Sequence, residues 1–167
     1  MQTVCGPVCA LEHARAKRAK AEAAKLRIDR KEARRKLDEM QGIPELLKKT
    51  QHAFNAYIRA RDAGRPCISC GRPLSAGSVG GGYDCGHYRS VGSAGHLRFD
   101  EKNAHGQCKY CNQHLSGNHV MYRIGMIERI GIEAVERIES DNRVTKWGRD
   151  ELRELAVKYR ARSKQVL

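Results

Sequence analysis

The chain has 167 residues, enough for one modest hydrophobic core but not for several large domains. Only 5% of residues are aromatic while 31% are charged, which predicts a helical, solvated protein whose small core a metal could staple. A formal net charge of +13 and a pI near 9.7 favour a polyanionic partner, DNA first, because each Lys or Arg placed on a phosphate releases condensed counterions. A membrane surface also attracts basic chains, yet no apolar run approaches the roughly 20 residues that span a bilayer, and no signal peptide opens the sequence. The expected setting is the cytoplasm, with no membrane partner.

From Ala10 to Lys36 there are eleven Lys/Arg against four Asp/Glu and no glycine or proline, so the sequence predicts a long basic helix. Leu11, Ala19, Leu26, Ala33 and Met40 keep a rough seven-residue spacing, but alanines make a weak coiled-coil seam, and a solvated helix is the better reading. Residues 1–42 thus form a basic helical extension, which also carries Cys5-x-x-x-Cys9, half of a zinc ribbon. Gln41-Gly42-Ile43-Pro44 breaks the helix and opens the main domain, residues 43–167. Pro44 suits the first turn of a second helix with Leu47, Phe54, Tyr57 and Ile58 on its core face. Gly64 and Pro66 end it.

Cys67-x-x-Cys70 follows directly, and Gly80-Gly81-Gly82 reads as a linker rather than a phosphate-binding loop. Tyr83 to Val91 and Leu97 to Phe99 are short enough to be two strands of a hairpin, with residues 92–95 as the turn. After Cys108-x-x-Cys111, the positions Val120, Ile124, Ile127, Ile130, Ile132, Val135 and Ile138 predict two short helices broken at Gly131, with these residues as the packing face. Arg149-Asp150-Glu151 resembles a helix start, continued by Leu152, Leu155, Ala156 and Tyr159.

Seven cysteines are an odd number, and the C-x-x-C spacing without a secretory signal points to metal ligands rather than disulfides. Cys67, Cys70, Cys108 and Cys111 can close a tetrahedral Zn²⁺ site, which leaves no open coordination position and makes the zinc structural. The chemistry then belongs to the enclosed segment. His87 is the candidate general base, because a neutral imidazole can take a proton from water near pH 7. Asp84 and Asn112 are the candidate ligands of a catalytic Mg²⁺ or Mn²⁺, and Asn103 is expected to orient His87 through the backbone. His96, His105, His114 and His119 crowd the same region as rival ligands or bases. Arg89, Arg98, Lys102 and Lys109 are expected phosphate contacts, and Cys85 a bystander thiol.

The knuckles lie 37 residues apart, more than the roughly 15 of a simple zinc ribbon, so the insert must carry its own structure. Asp84-Cys85-Gly86-His87, Asn103 and Cys108-x-x-Cys111-Asn112 in that frame resemble the ββα-metal, or HNH, nucleases. The expected fold is α+β and mostly helical: a zinc-stapled HNH-like core, a long basic N-terminal helix and C-terminal helices.

The segments Phe54-Asn55-Ala56-Tyr57-Ile58-Arg59, Cys67-Ile68-Ser69-Cys70-Gly71, Gly86-His87-Tyr88-Arg89, Leu97-Arg98-Phe99 and Gln107-Cys108-x-x-Cys111-Asn112-Gln113-His114 resemble, in order and spacing, the lambdoid-phage NinG (Rap) recombination family. The resemblance runs from about Ala10 to the C-terminal helix. It implies a structure-specific endonuclease, encoded by phage or prophage, that cuts branched DNA such as Holliday junctions and D-loops. Two departures stand out. The first cysteine pair of the N-terminal ribbon is missing, so either the start is truncated or the ribbon is dispensable. Gly86 precedes His87 where many HNH members place an acidic or imidazole ligand. Two other readings stay open: a zinc module that binds DNA without cutting it, and a sequence-specific HNH nuclease. Holding two DNA arms at once suggests a homodimer.

Overall fold

Rich in alanine and free of glycine and proline after its first turn, Pro7–Met40 forms one uninterrupted helix, α1, in a computed structural model that describes residues 6–74 and 82–166. None of its described residues is buried. Lys20, Arg27, Arg30, Lys31 and Arg34 fall within one arc of about 100° at 3.6 residues per turn, whereas Glu22, Asp29 and Glu32 project from the opposite side. Arg18, Lys25 and Lys36 share the acidic side, so over residues 20–34 the arc differs from the rest of the helix in lacking acids rather than in being the sole basic face. Cys9 lies on α1, while its expected partner Cys5, like Gly80 and Gly81, is outside the described residues.

The chain divides into two units, Met1–Gln41 and Gly42–Leu167. In the second, helix α2 (Ile43–Arg61) has Pro44 in its first turn and buries Leu46, Ala53, Phe54, Tyr57 and Ile58. Leu47, expected on that face, is only partly buried. The C-terminal helix α5 (Arg149–Gln165) packs along α2 through Leu152, Ala156 and Tyr159, and the buried Thr50 hydroxyl donates to the Leu152 carbonyl at 2.8 Å. Phe54 sits edge-on to Tyr159 and Phe99, with centroids 4.9 and 5.8 Å apart, and closes this first core. Gly64, at φ 79°, ends the α2 segment in the left-handed region that glycine tolerates best.

Two strands pair antiparallel, but the second is not the expected one. β1 is Tyr83–His87 and β2 is Ala104–Cys108, with Asp84 opposite Gln107 and His87 opposite Ala104. Residues 97–99 belong instead to a long connection that contains a short 3₁₀ turn, Gly95–Leu97. Leu97 enters a second core with Ile68, Ala94, Tyr122, Met126, Val135 and Ile138, while Phe99 enters the first. The alternation of Leu97 and Phe99 is thus real but records a loop threaded between two cores. β2 shows no alternation because all five of its residues are buried.

Asn103 holds the connection in shape. Its side-chain oxygen accepts from the Arg89 amide at 2.8 Å, and its nitrogen donates to the carbonyls of Arg89 and Leu97 at 3.0 and 3.2 Å. Two helices follow the second cysteine pair: α3 (His119–Ile130) and α4 (Ile132–Ser140), broken at Gly131 as expected. Their packing face is the expected one at Val135 and Ile138, with Ile127 and Ile130 partly buried beside them, but not throughout. Tyr122, Met126, Val135 and Ile138 are buried, whereas Val120, Ile124 and Ile132 are exposed. Among the described residues no helix is long and apolar enough to cross a membrane.

A carboxylate joins α2, β2 and α3. Asp62, fully buried, accepts from both ends of the Arg61 guanidinium at 2.9 Å and from the Gly106 amide at 2.7 Å, and lies 3.5 Å from Arg129. Burial alone would raise its carboxyl, but Arg61 and the Gly106 amide outweigh that and leave it below the usual carboxylate value.

Gly125 sets how closely α3 approaches the first knuckle. A Cβ there would lie 1.9 Å from the Ile68 carbonyl oxygen, a distance the backbone cannot accept. Ala in place of Gly inside a helix ordinarily stabilises by about 1 kcal/mol. Here overpacking reverses the sign, and Gly125→Ala is expected to destabilise by about 1–3 kcal/mol or more in urea denaturation. A neutral or stabilising effect would show that α3 does not press on Ile68.

Candidate functional site

The four knuckle cysteines converge. Their Sγ atoms all lie within 4.8 Å of one another, and Cys70 Sγ is 3.8 Å from Cys108 Sγ. A Zn–S bond of about 2.3 Å in a tetrahedron requires sulfurs about 3.8 Å apart, so the cluster fits a single zinc. The first knuckle is turned by Gly71, at φ 68°, whose amide donates to the Cys67 carbonyl at 3.0 Å. In the second, Cys108 ends β2 and Cys111 sits in a single π-helical turn, Tyr110–His114. Amides of Cys108 and Cys111 and the Asn118 side chain donate to sulfurs at 3.3–3.6 Å.

Those donors shape the thiol chemistry. Burial raises the Cys67 thiol, but the amides of Cys108, Cys70 and Ser69 together bring it below its usual value. Burial and the neighbouring sulfurs push Cys111 up to about 12 despite the Asn118 bond. Four thiolates cannot coexist there without a cation between them, and a divalent metal supplies that charge. Among the described residues this is the sole cluster of three or more His, Cys, Asp or Glu groups with ligand spacing. Purified protein is expected to carry about one zinc per chain by metal analysis, and Cys108→Ser to lose it. Chelation should unfold the second unit, seen as lost near-ultraviolet circular dichroism. A well-folded, zinc-free wild-type protein would refute the assignment.

Asp84 and Asn112 lie beside this cluster. Asp84 Oδ2 accepts from Asn112 Nδ2 at 3.1 Å and from Gln113 Nε2 at 2.8 Å. Asn112, directly after the knuckle, occupies the π turn. The left-handed Ser116, Gly117 and Asn118, at φ 47°, 92° and 44°, delay α3 until His119. Gln113, a second amide on the same carboxylate, was not singled out by sequence reasoning, although it directly follows Asn112.

His87 faces the other way. Side chains three apart on a strand project from opposite faces, and His87 packs against Phe54 at 5.8 Å between ring centroids rather than beside Asp84. Its Nε2 lies 3.0 Å from the Arg98 carbonyl. A carbonyl only accepts, so Nε2 carries the proton and Nδ1 keeps its lone pair. Burial, helped by the Arg98 charge, holds the ring below its usual pKa against backbone hydrogen bonds to Arg98 and Cys85, so it is neutral at pH 7. Asn103 contacts neither His87 nor Asp84 by a side-chain hydrogen bond. It acts on the connection to which His87 is bonded.

The rival residues have other partners. His105 is buried, takes a hydrogen bond from Arg61 at 3.2 Å and donates to the Lys102 carbonyl at 3.1 Å. Burial and the nearby Arg61 push it down to about 4. His96 reaches the Asp141 carbonyl at 2.9 Å, His114 stacks near Tyr110, and His119 lies against Tyr88. Arg89, expected on a phosphate, instead caps α4. It donates to the carbonyls of Ile138, Glu139 and Asp141 and to the Asn142 side chain, where the helix dipole favours a cation. Arg98 donates to Gln51 at 3.3 Å. Cys85 packs against the first core, and burial raises its thiol to about 12, which leaves it inert near neutral pH.

Fold and site together define a basic α+β protein whose two-stranded hairpin is closed by a four-cysteine cluster able to hold zinc. Over residues 1–167 the chain matches the family model described as bacteriophage lambda NinG protein. It is 48% identical over 120 residues to the NinG protein of Salmonella phage P22 and 46% identical over 120 residues to that of Escherichia phage lambda. Each alignment covers 72% of this chain, and 57% and 56% of the respective relative. The chain belongs to the NinG family, and it spans little more than half the length of these relatives. No solved structure matches it.

Proposed function

We propose that this protein is a metal-dependent, HNH-type DNA endonuclease that cuts branched DNA, such as Holliday junctions and D-loops, with a structural zinc at the four cysteines. The observation that carries this reading is the pairing of Asp84 with Asn112 at the edge of the cysteine cluster. The two side chains approach to 3.1 Å, close to the roughly 3 Å edge between neighbouring oxygens around a Mg²⁺ ion. The amide nitrogen of Asn112 faces Asp84; a rotation of the amide turns its oxygen inward, as a cation requires.

When bound, Mg²⁺ or Mn²⁺ would supply Lewis-acid stabilisation of the charge on the leaving 3′ oxygen. Asp84 and Asn112 would hold it, with Gln113 donating to the same carboxylate at 2.8 Å. His87 would take a proton from the attacking water through its other ring nitrogen, which must leave its contact with the Cys85 backbone to do so, while its Nε2–H stays on the Arg98 carbonyl. Asn103 fixes the backbone that presents that carbonyl. The acid-free basic arc of α1, over residues 20–34, would bind phosphates, and a homodimer would grip two arms of a junction.

The opposed directions of His87 and Asp84 favour a second reading, a zinc module that binds branched DNA without cutting it. A labelled four-way junction with Mg²⁺ or Mn²⁺ separates the two. Cleavage of the junction but not of linear duplex is expected, with His87→Ala slower by about 10²–10⁴-fold. Equal cutting by His87→Ala would remove His87 from the mechanism; binding by both proteins with no cutting would favour the module. Because burial lowers His87, the rate should stay level from pH 8 to about 6.5 and fall only as the pH drops through the depressed value. A fall beginning above pH 7 would contradict a histidine base in this environment.

Replacing Lys20, Arg27, Arg30, Lys31 and Arg34 together by Gln should reduce the slope of log affinity against log salt by up to about 4. An unchanged slope would place the phosphate contacts elsewhere.

A further inference from the structure

We propose that Gln107 is an additional oxygen ligand of the cation held by Asp84 and Asn112. This rests on the cation-site reading above and goes beyond it, since neither the cysteine spacing nor any titratable group marks this residue.

Gln107 lies on β2 directly opposite Asp84 in the antiparallel register, so the two side chains share one face of the hairpin. It has no exposed surface. Its amide nitrogen donates twice, to Ser69 Oγ at 2.8 Å and to the Gly117 carbonyl at 2.7 Å. The Gly117 carbonyl can only accept, which fixes nitrogen and oxygen and excludes a flipped amide. The oxygen, Oε1, is buried and has no hydrogen-bond partner. Buried acceptors of this kind are rare and ordinarily find a donor, an ordered water or an ion.

Gly86 explains where that oxygen points. A Cβ built on Gly86 would lie 2.3 Å from Gln107 Oε1, so the amide oxygen fills the volume in which a side chain at position 86 would begin. Gly86 is the residue next to Asp84 on that face, two positions along the strand. The glycine therefore supplies no ligand of its own and makes room for one from the neighbouring strand. With the Asp84 carboxylate and, once its amide is rotated, the Asn112 oxygen, the orphan oxygen would give three hard oxygen donors, which suits Mg²⁺ or Mn²⁺ and not a soft metal. Tyr122 also fixes this stretch, its hydroxyl donating to the Gly86 carbonyl at 2.8 Å.

The test is Mn²⁺ binding to the full-length, zinc-saturated protein, read from loss of the free-ion electron paramagnetic resonance signal, without DNA. Gln107→Met keeps the length but removes the oxygen, and is expected to weaken binding by about tenfold or more. Gln107→Glu restores an oxygen and should bind within about threefold of the parent or more tightly. A merely structural role would affect both variants alike, because both lose the two amide donations. Gly86→Ala displaces Oε1 without touching Gln107, and it decides the matter if Gln107→Met fails to fold; weakened binding is expected. Parent-like binding by Gln107→Met or Gly86→Ala, or equal loss in Gln107→Met and Gln107→Glu, overturns the proposal. If Asp84→Ala abolishes binding while Gln107→Met retains it, only the Gln107 role fails. If the parent binds no Mn²⁺, the cation-site reading fails with it.

Discussion

The buried carboxylate of Asp62 is the constraint on which the arrangement around the hairpin depends. It terminates α2, receives the amide of Gly106 from the middle of β2, and draws Arg129 inward from the end of α3. An ionised group with no exposed surface is tolerated only when charge and hydrogen bonds surround it, and here Arg61 and Gly106 supply both. Removing one partner of such a buried set typically costs about 3–5 kcal/mol, because the remaining charges stay desolvated. Gly106 is flanked by His105 and Gln107 and lies two residues before Cys108. The carboxylate that holds Gly106 thus fixes the depth of a cysteine ligand and of the candidate cation ligand together.

The glycines contribute by absence of volume. Gly125 lets α3 press on the Ile68 carbonyl between the first two cysteines, and Gly86 admits the Gln107 amide across the hairpin. A third, Gly106, leaves room for Leu74 and Asp62, which a Cβ would meet at 2.8 and 3.1 Å. Each marks a place where a backbone segment approaches something that serves the site. Cys108 and the proposed oxygen donors Asp84 and Gln107 consequently sit on the same two short strands and share their tolerances.

Much of this was legible in the sequence where the signal was local. The alanine-rich run gave α1, Pro44 and Gly64 bounded the α2 segment, Gly131 split α3 from α4, and the C-x-x-C spacing identified four cysteines that do converge. The second strand was not legible, because a strand buried on both faces has no alternation to read, while Leu97 and Phe99 imitated one by entering two different cores. Asp62, Gln107 and Arg89 were missed or misjudged for a common reason. Apart from Arg61 beside Asp62, their partners lie roughly ten to fifty residues away, at Gly117 and Ser69, Gly106, or the end of α4, and no local pattern encodes such pairings. Asp84 and Asn112 were picked out by type and do meet, whereas the strand pleat turns His87 away from them.

The connection between β1 and β2 carries a kinetic consequence. Residues 88–103 replace the two-residue turn that would let a hairpin close on its own in microseconds, and the pinned loop must instead be gathered before the strands can align. Closure of so long a segment is paid in chain entropy at the start of folding. Capture of a metal by the first knuckle and then by Cys108 and Cys111 would bring the ends of the insert together early. The rate at which newly made chains reach the native state should then follow the supply of zinc in the cell, and not only the final amount folded.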